Sequence, residues 1–289
     1  MENRLERLRS GLRRIDAISD ATWLASLDER KRKELEFHDA HRDRSRAGHL
    51  DQDTYERFYG NKKYYVATEL SKRYVDDWIR THAPGKVFLD YACGDGSNAL
   101  KAARSGALLS VGIDISRVSV ENARRDAAEA GLAEKTLFVQ ADAENTMLPD
   151  ASVDVVICSG MLHHLDLTHA YPELARILAP EGVILAVEAL DYNPAIKLYR
   201  YLTPQMRTDW EKAHILSLKD VRAARTLFEL GDIRYWHITS ILGGKLPGLL
   251  PALNGLDRML TRIPLVRLMA WIFTFELKKP QSTAASRQQ

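Results

Sequence analysis

The chain has 289 residues, 45% of them hydrophobic and 28% charged, with a formal net charge of +2. These figures exclude a disordered or fibrous chain, and so mild a charge excludes a nucleic-acid binder built on a strongly basic face. Two cysteines, Cys93 and Cys158, have neither the number nor the spacing for a disulfide framework or a zinc site, so no metal is expected.

The opening MENRLERLRSGLRR has no apolar central segment of the secretory kind, and no apolar run approaches the roughly 18–20 residues that cross a bilayer. The expectation is a cytoplasmic chain, at most peripheral to a membrane. Leu5, Leu8, Leu12 and Ile15 recur at helical spacing and predict an amphipathic first helix. Arg and Lys interleaved with Glu and Asp over residues 1–46 read as a solvated helix surface. Ser26 and Glu29, at capping-box spacing, predict that a second helix starts there and runs through ERKRKELEFHDAHRD. After a loop at His49 to Asp53 comes an aromatic cluster, Tyr55, Phe58, Tyr59, Tyr64 and Tyr65. A helix through Tyr74 and Trp78 follows, closed by Pro84 and Gly85. Residues 1–84 are thus expected to form a helical front section that serves as a lid.

From Lys86 short apolar runs alternate with helical patterns, the signature of βαβ units and a parallel sheet. Strands are predicted at 87–91, 109–114, 137–140, 153–158 and 183–189, with helices near 97–105, 117–130 and 168–178. Two more strands follow at 232–241 and 270–278, antiparallel to each other. The fold class is α/β: a doubly wound, seven-stranded, mostly parallel sheet over 85–280, with insertions at about 191–216 and 242–269, the latter before the last strand. A polar tail occupies 281–289.

The chemistry is expected where VFLDY ends in Asp90 and runs into Ala92-Cys93-Gly94-Asp95-Gly96, just ahead of a helix. Glycines let the backbone turn sharply and approach a ligand, and the helix aims its N-terminal amides at the same place. Gly94 to Ala99 also fits the G-x-G-x-x-A dinucleotide fingerprint, with an acid about twenty residues on at Asp114. A nicotinamide or flavin oxidoreductase is therefore one reading. Carboxylates at this turn oppose a pyrophosphate and favour a ligand with positive charge. Asp114, at the end of the second strand, suits the ribose hydroxyls of either ligand. Asp142 in Gln140-Ala141-Asp142-Ala143 stands where an adenine amine would be met.

Taken together, LDYACGDGSNA, GIDIS, QADAENTMLPDASVDVVICSGMLHHL and ELARILAPEGVILAVE resemble the motifs of the class I S-adenosylmethionine-dependent methyltransferases over about residues 60–190. The resemblance implies a Rossmann-like methyltransferase fold and S-adenosylmethionine as cofactor, leaving S-adenosylhomocysteine as product. The cofactor would be held by Asp90, Ala92, Cys93, Gly94, Gly96, Asp114, Ile115, Asp142, Ala143 and Ser159, with Tyr64 or Tyr65 reaching it from the lid. Gly160 lies at the same carboxyl edge of the sheet. The family commonly has glycine at the position of Ala92, so the turn either differs slightly there or permits negative φ. Asp154 is read as the anchor of a strand start.

His163 and His164 are the candidate general bases, with His38, His41 and His214 behind them. A structural role for one of the paired histidines is the competing account. The stretch 191–216 is rich in Tyr, Trp and Met, so Tyr192, Tyr199, Met206 and Trp210 are expected to wall an apolar acceptor. In 242–269, Leu249, Leu250, Leu253, Leu256 and Leu260 fall on one helical face, with Lys245, Arg258, Arg262 and Arg267 between them. That layout fits the substrate cleft, a homodimer mate or an anionic membrane surface. The functional expectation is O-methylation of a hydroxyl or phenol on a hydrophobic small molecule. C-methylation of a quinone-like or polyketide acceptor is the alternative, because the chain resembles the quinone-biosynthesis type. A non-catalytic partner subunit of the same fold remains a further alternative, and no nucleic-acid partner is expected.

Overall fold

The computed structural model of the chain describes residues 2–43 and 67–280. Tyr55, Phe58, Tyr59, Tyr64, Tyr65, the 49–53 loop and the polar tail lie outside the described residues, as does the side chain of His41.

Seven strands form one sheet: β1 (Val87–Tyr91), β2 (Leu109–Asp114), β3 (Thr136–Gln140), β4 (Val153–Ser159), β5 (Leu178–Ala189), β6 (Glu229–Trp236) and β7 (Ile272–Lys278). Their order is β3-β2-β1-β4-β5-β7-β6. All neighbours are parallel except β7, which runs antiparallel to both β5 and β6. The first four strands match the expected bounds to within a residue. The fifth and sixth begin earlier than expected, at Leu178 and Glu229, and the sixth ends at Trp236.

Both faces of the sheet are covered, which is why its strands read as apolar runs without alternation. Alternate residues part to opposite faces. Leu89 and Tyr91 join the larger core, whereas Phe88 packs with Val75, Trp78 and Ile79 of the helix Glu69–His82. The helices Ser97–Arg104 and Arg117–Glu129 follow β1 and β2, and Leu167–Ile177 follows β4. These are the crossovers that put every parallel strand's carboxyl end along one edge, where ligands of open α/β sheets bind.

At the N-terminus, α1 (Glu2–Asp16) buries Leu8, Leu12 and Ile15 in the main core. Arg4 pairs with Asp154, which also accepts the Val87 amide at 2.9 Å and so anchors the sheet's opening strand. Ser26 does not cap a helix. A short helix, α2 (Asp20–Ser26), ends there, and Asp28 caps α3 (Glu29–Arg42) by accepting the Lys31 amide. The extra helix forms because Ser19 supplies a cap and Trp23 and Leu27 pack with Leu35. Of these three helices, only α3 reaches over the cleft.

Ala92 takes neither of the two expected routes around its missing glycine: it sits in the left-handed region, at φ 56. That costs about 1 kcal/mol or somewhat more. Gly94 and Gly96 are left-handed too, at φ 54 and 73. A Cβ on Gly96 would lie 2.7 Å from the Phe138 ring, so this glycine also lets the helix start pack against β3.

Candidate active site

The cleft opens at the carboxyl ends of β1, β2 and β4 and the loop after β3. It encloses ≈ 700 Å³ of atom-free space that opens to solvent. Ala92, Asp114, Ile115, Asp142, Ala143, Ser159, Gly160, Met161 and His164 line it from the sheet side, and Arg30, Lys31, Glu34, His38 and Arg42 from α3.

Asp114 holds the glycine turn in place. Its carboxylate accepts the Gly94 amide at 2.8 Å and the Ser116 amide at 2.9 Å. Asp142 accepts the Glu144 amide at 2.8 Å and Lys31 Nζ at 2.7 Å. A carboxylate offers about four acceptor positions, so room for another donor is left. Asp90, Cys93, Gly94 and Gly96 are not among the residues that line the cleft. Asp90 is buried beneath the loop and accepts the Ala99 amide at 3.1 Å, fixing the start of the next helix. Burial pushes its carboxyl up to about 7. Cys93 is likewise buried, its thiol raised well above the ordinary range by burial, and packs with Ala99, Val120 and Phe138.

What sequence reasoning missed is mostly carboxylate. Glu188, on the buried strand β5, accepts the amides of Met161 and Leu162 at 2.8 and 2.7 Å and the His163 Nδ1 proton at 2.7 Å. An acid inside the apolar run VILAVEA was the available signal. Glu144 is buried and holds both Arg30, at 2.6 and 2.7 Å, and Lys31, at 3.1 Å. Glu34 accepts His164 Nδ1–H at 3.0 Å and the Thr208 hydroxyl, with His38 Nε2 at 3.6 Å. Burial opposes ionisation of Glu34, yet these hydrogen bonds hold its carboxyl well below the usual range.

The paired histidines differ in consequence. Burial lowers His164, the neighbouring His163 adds to the effect, and its pKa falls to about 4, so it is neutral at physiological pH. Burial also works against charge on His163, but the Glu188 carboxylate and its hydrogen bond, aided by Glu211, outweigh it and raise its pKa. With Nδ1–H given to Glu188, neutral His163 keeps a lone pair on Nε2, which faces Glu211 at 3.9 Å. His38 stands at the cleft wall against His164, ring centroids 5.0 Å apart. His214 is not brought to the cleft: it is exposed, stacks on Trp210 and bonds the Trp210 carbonyl.

Of the acceptor-wall candidates, Trp210 lies nearest the cleft, with the Arg30 guanidinium 4.7 Å above its ring. Its buried Nε1 has no partner among the described residues. Tyr199 packs with Met206 and Arg207. Tyr192 faces outward and accepts the Leu218 amide, because the backbone turns at Asn193 to cap the next helix.

Residues 89–186 match the family profile described as a methyltransferase domain. A 27-O-demethylrifamycin SV methyltransferase of Amycolatopsis mediterranei is 38% identical over 99 residues, 34% of this chain and 36% of that protein. A ubiquinone biosynthesis O-methyltransferase of Neisseria meningitidis is 33% identical over 150 residues, 47% of this chain and 61% of that protein. The chain thus spans between about a third and three fifths of the length of these relatives. Among solved structures, a geranyl diphosphate C-methyltransferase from Streptomyces coelicolor shares the fold, with a TM-score of 0.60 at 14% identity over 88% of this chain and 99% of that one.

Proposed function

We propose that this chain, which carries a domain of the class I S-adenosylmethionine-dependent methyltransferases, methylates a hydroxyl or phenol on a hydrophobic small molecule. The observation that carries the reading is the His163–Glu188 pair at the carboxyl edge of the sheet, His163 being next in the chain to His164, which lines the cleft with Asp114 and Asp142. S-adenosylmethionine, when bound, supplies an activated methyl group on a sulfonium. The residues present fit it. Asp114 and Asp142 offer acceptors for ribose hydroxyls and an adenine amine. Arg42 stands so close to Gly94 that a Cβ there would lie 2.8 Å from its guanidinium, suiting the carboxylate of a methionine end. The dinucleotide reading of the glycine loop draws no support from the matched domain or the relatives, which are methyltransferases.

Methyl transfer is an in-line displacement, and alignment of the acceptor supplies much of the acceleration. A hydroxyl acceptor must also lose its proton. Neutral His163 takes that proton on Nε2, while Glu188 fixes the tautomer, orients the ring and stabilises the imidazolium that forms. His164, kept neutral and tied to Glu34, shapes the cleft. The unpartnered Trp210 Nε1 is a donor for a polar group on the acceptor, and the Tyr199 and Met206 side chains give it an apolar wall. A base of this kind favours oxygen over carbon as the methylated atom.

The test is turnover of labelled S-adenosylmethionine with a panel of lipophilic phenols and alcohols, using the wild type and His163→Ala. A methylated phenol ether whose formation depends on His163 supports the reading. Methyl transfer only to carbon, or equal rates in both proteins, contradicts it.

A further inference from the structure

The helix Leu250–Leu260 reverses the usual arrangement of a surface helix, which turns its polar side to water. Its buried positions are polar: Asn254 and Asp257, one turn apart. Asp257 is locked inward by the amides of Ile238, Thr239 and Ser240. On the opposite side, Leu256 and Met259 are 43% and 65% exposed. Leu246 and Leu249 before the helix and Ile263 and Leu265 after it are exposed as well. Leu265 has a positive φ of 66 at the centre of a γ-turn, so this position carries strain without gaining burial.

Charge on the same segment has one sign. Lys245, Arg258, Arg262 and Arg267 are exposed, and the single acid of residues 242–269 is the inward-locked Asp257. A second apolar stretch adjoins it. Asn193, the cap of the helix Pro194–Leu202, donates to the Met269 carbonyl at 2.6 Å, and that helix exposes Leu198, Tyr201 and Leu202. Residues 192–208 contain no acid at all.

We propose that this face docks on an anionic lipid surface, with the leucines seated at the headgroup boundary and the arginines against lipid phosphates. Apolar side chains alone would serve a protein partner equally well; the cations decide between them. A two-fold pairing with a second copy sets this cationic patch against itself, and like charges across an interface are costly. No described helix is long and apolar enough to cross a membrane, so the attachment is peripheral. The proposal does not depend on which atom is methylated, and it needs no substrate to test.

The experiment is co-sedimentation of the full chain with phosphatidylcholine vesicles, with and without about a third phosphatidylglycerol, at low and high salt. The wild type is expected to pellet with the anionic vesicles and to be released by salt. Arg258→Gln with Arg262→Gln should weaken partitioning about 30-fold, at about 1 kcal/mol per cation. Leu256→Glu with Met259→Glu should abolish it. Unchanged thermal melting and S-adenosylhomocysteine binding show that the variants fold. No pelleting of the wild type, or equal pelleting of wild type and variants, overturns the proposal. So does a vesicle-free dimer in sedimentation velocity that Leu256→Glu with Met259→Glu dissociates.

Discussion

The cleft and the segment 242–265 treat polarity in opposite ways. Around the cleft, three carboxylates are drawn inward and held: Glu144 by Arg30 and Lys31, Glu188 by two amides and His163, Glu34 by His164 and Thr208. In 242–265 one acid is also drawn in, but the large apolar side chains are left outside. The difference separates a site that the fold must keep assembled from a surface that the fold can do without. Substitutions in the first should therefore cost stability or chemistry, and those in the second should cost neither.

The strongest way to break that contrast is Glu144→Ala, which takes the carboxylate partner from Arg30 in a largely buried place and leaves Lys31 with Asp142 alone. It should destabilise the protein by about 3–5 kcal/mol, against a change within about 0.5 kcal/mol for Leu256→Glu. Chemical denaturation of both variants reads this directly, and similar losses would erase the distinction. Next comes His163→Ala, expected to lower turnover ~10²-fold with S-adenosylhomocysteine affinity nearly unchanged. Because the His163 pKa is raised and the base must be neutral, wild-type kcat/KM should climb with pH through that pKa and then level. A flat profile would remove the histidine from the chemistry.

Acid should act on the folded state through two other histidines. His164 and His237 are held near 4 by burial, below the ordinary value of 6.5, so the unfolded chain takes up protons first as pH falls. Their contribution is complete above about pH 6.5 and is lost progressively toward pH 4. The loss is about 2–3 kcal/mol for each. Thermal melts between pH 7 and 4 should show the decline, and a shallower one for His237→Gln, whose buried ring now bonds Ser71 and Ser240. The smallest effect is at the glycine turn. Ala92→Gly removes the left-handed penalty of about 1 kcal/mol but frees the unfolded chain, leaving a gain of a few tenths of a kcal/mol. Destabilisation instead would show that the methyl group packs usefully.

Much of the scaffold was legible because parallel strands buried on both faces leave unbroken apolar runs, and because glycines and acids at strand ends mark the ligand edge. Asp114, Asp142 and Ser159 are read at that edge, and all three line the cleft. Asp90 and Cys93, read in the same loop, lie buried beneath it, and the strand's alternation does not show this because it depends at its last residues on how the following turn leaves. Glu34 was hidden in ERKRKELEFHDAHR, where charge is too dense for one buried acid to stand out. Its role rests on α3 meeting His164 across about 130 positions of sequence. The inward polar side of the helix Leu250–Leu260 was equally hidden: the sequence shows which residues share a helix face but not which face the protein covers.

Isothermal titration with S-adenosylhomocysteine and, separately, NAD tests the central claim most directly. Saturable one-to-one binding of S-adenosylhomocysteine, weakened at least tenfold by Asp114→Ala, with no heat from NAD, is the predicted result. Silence toward S-adenosylhomocysteine and S-adenosylmethionine alike, or binding of NAD in their place, would contradict it.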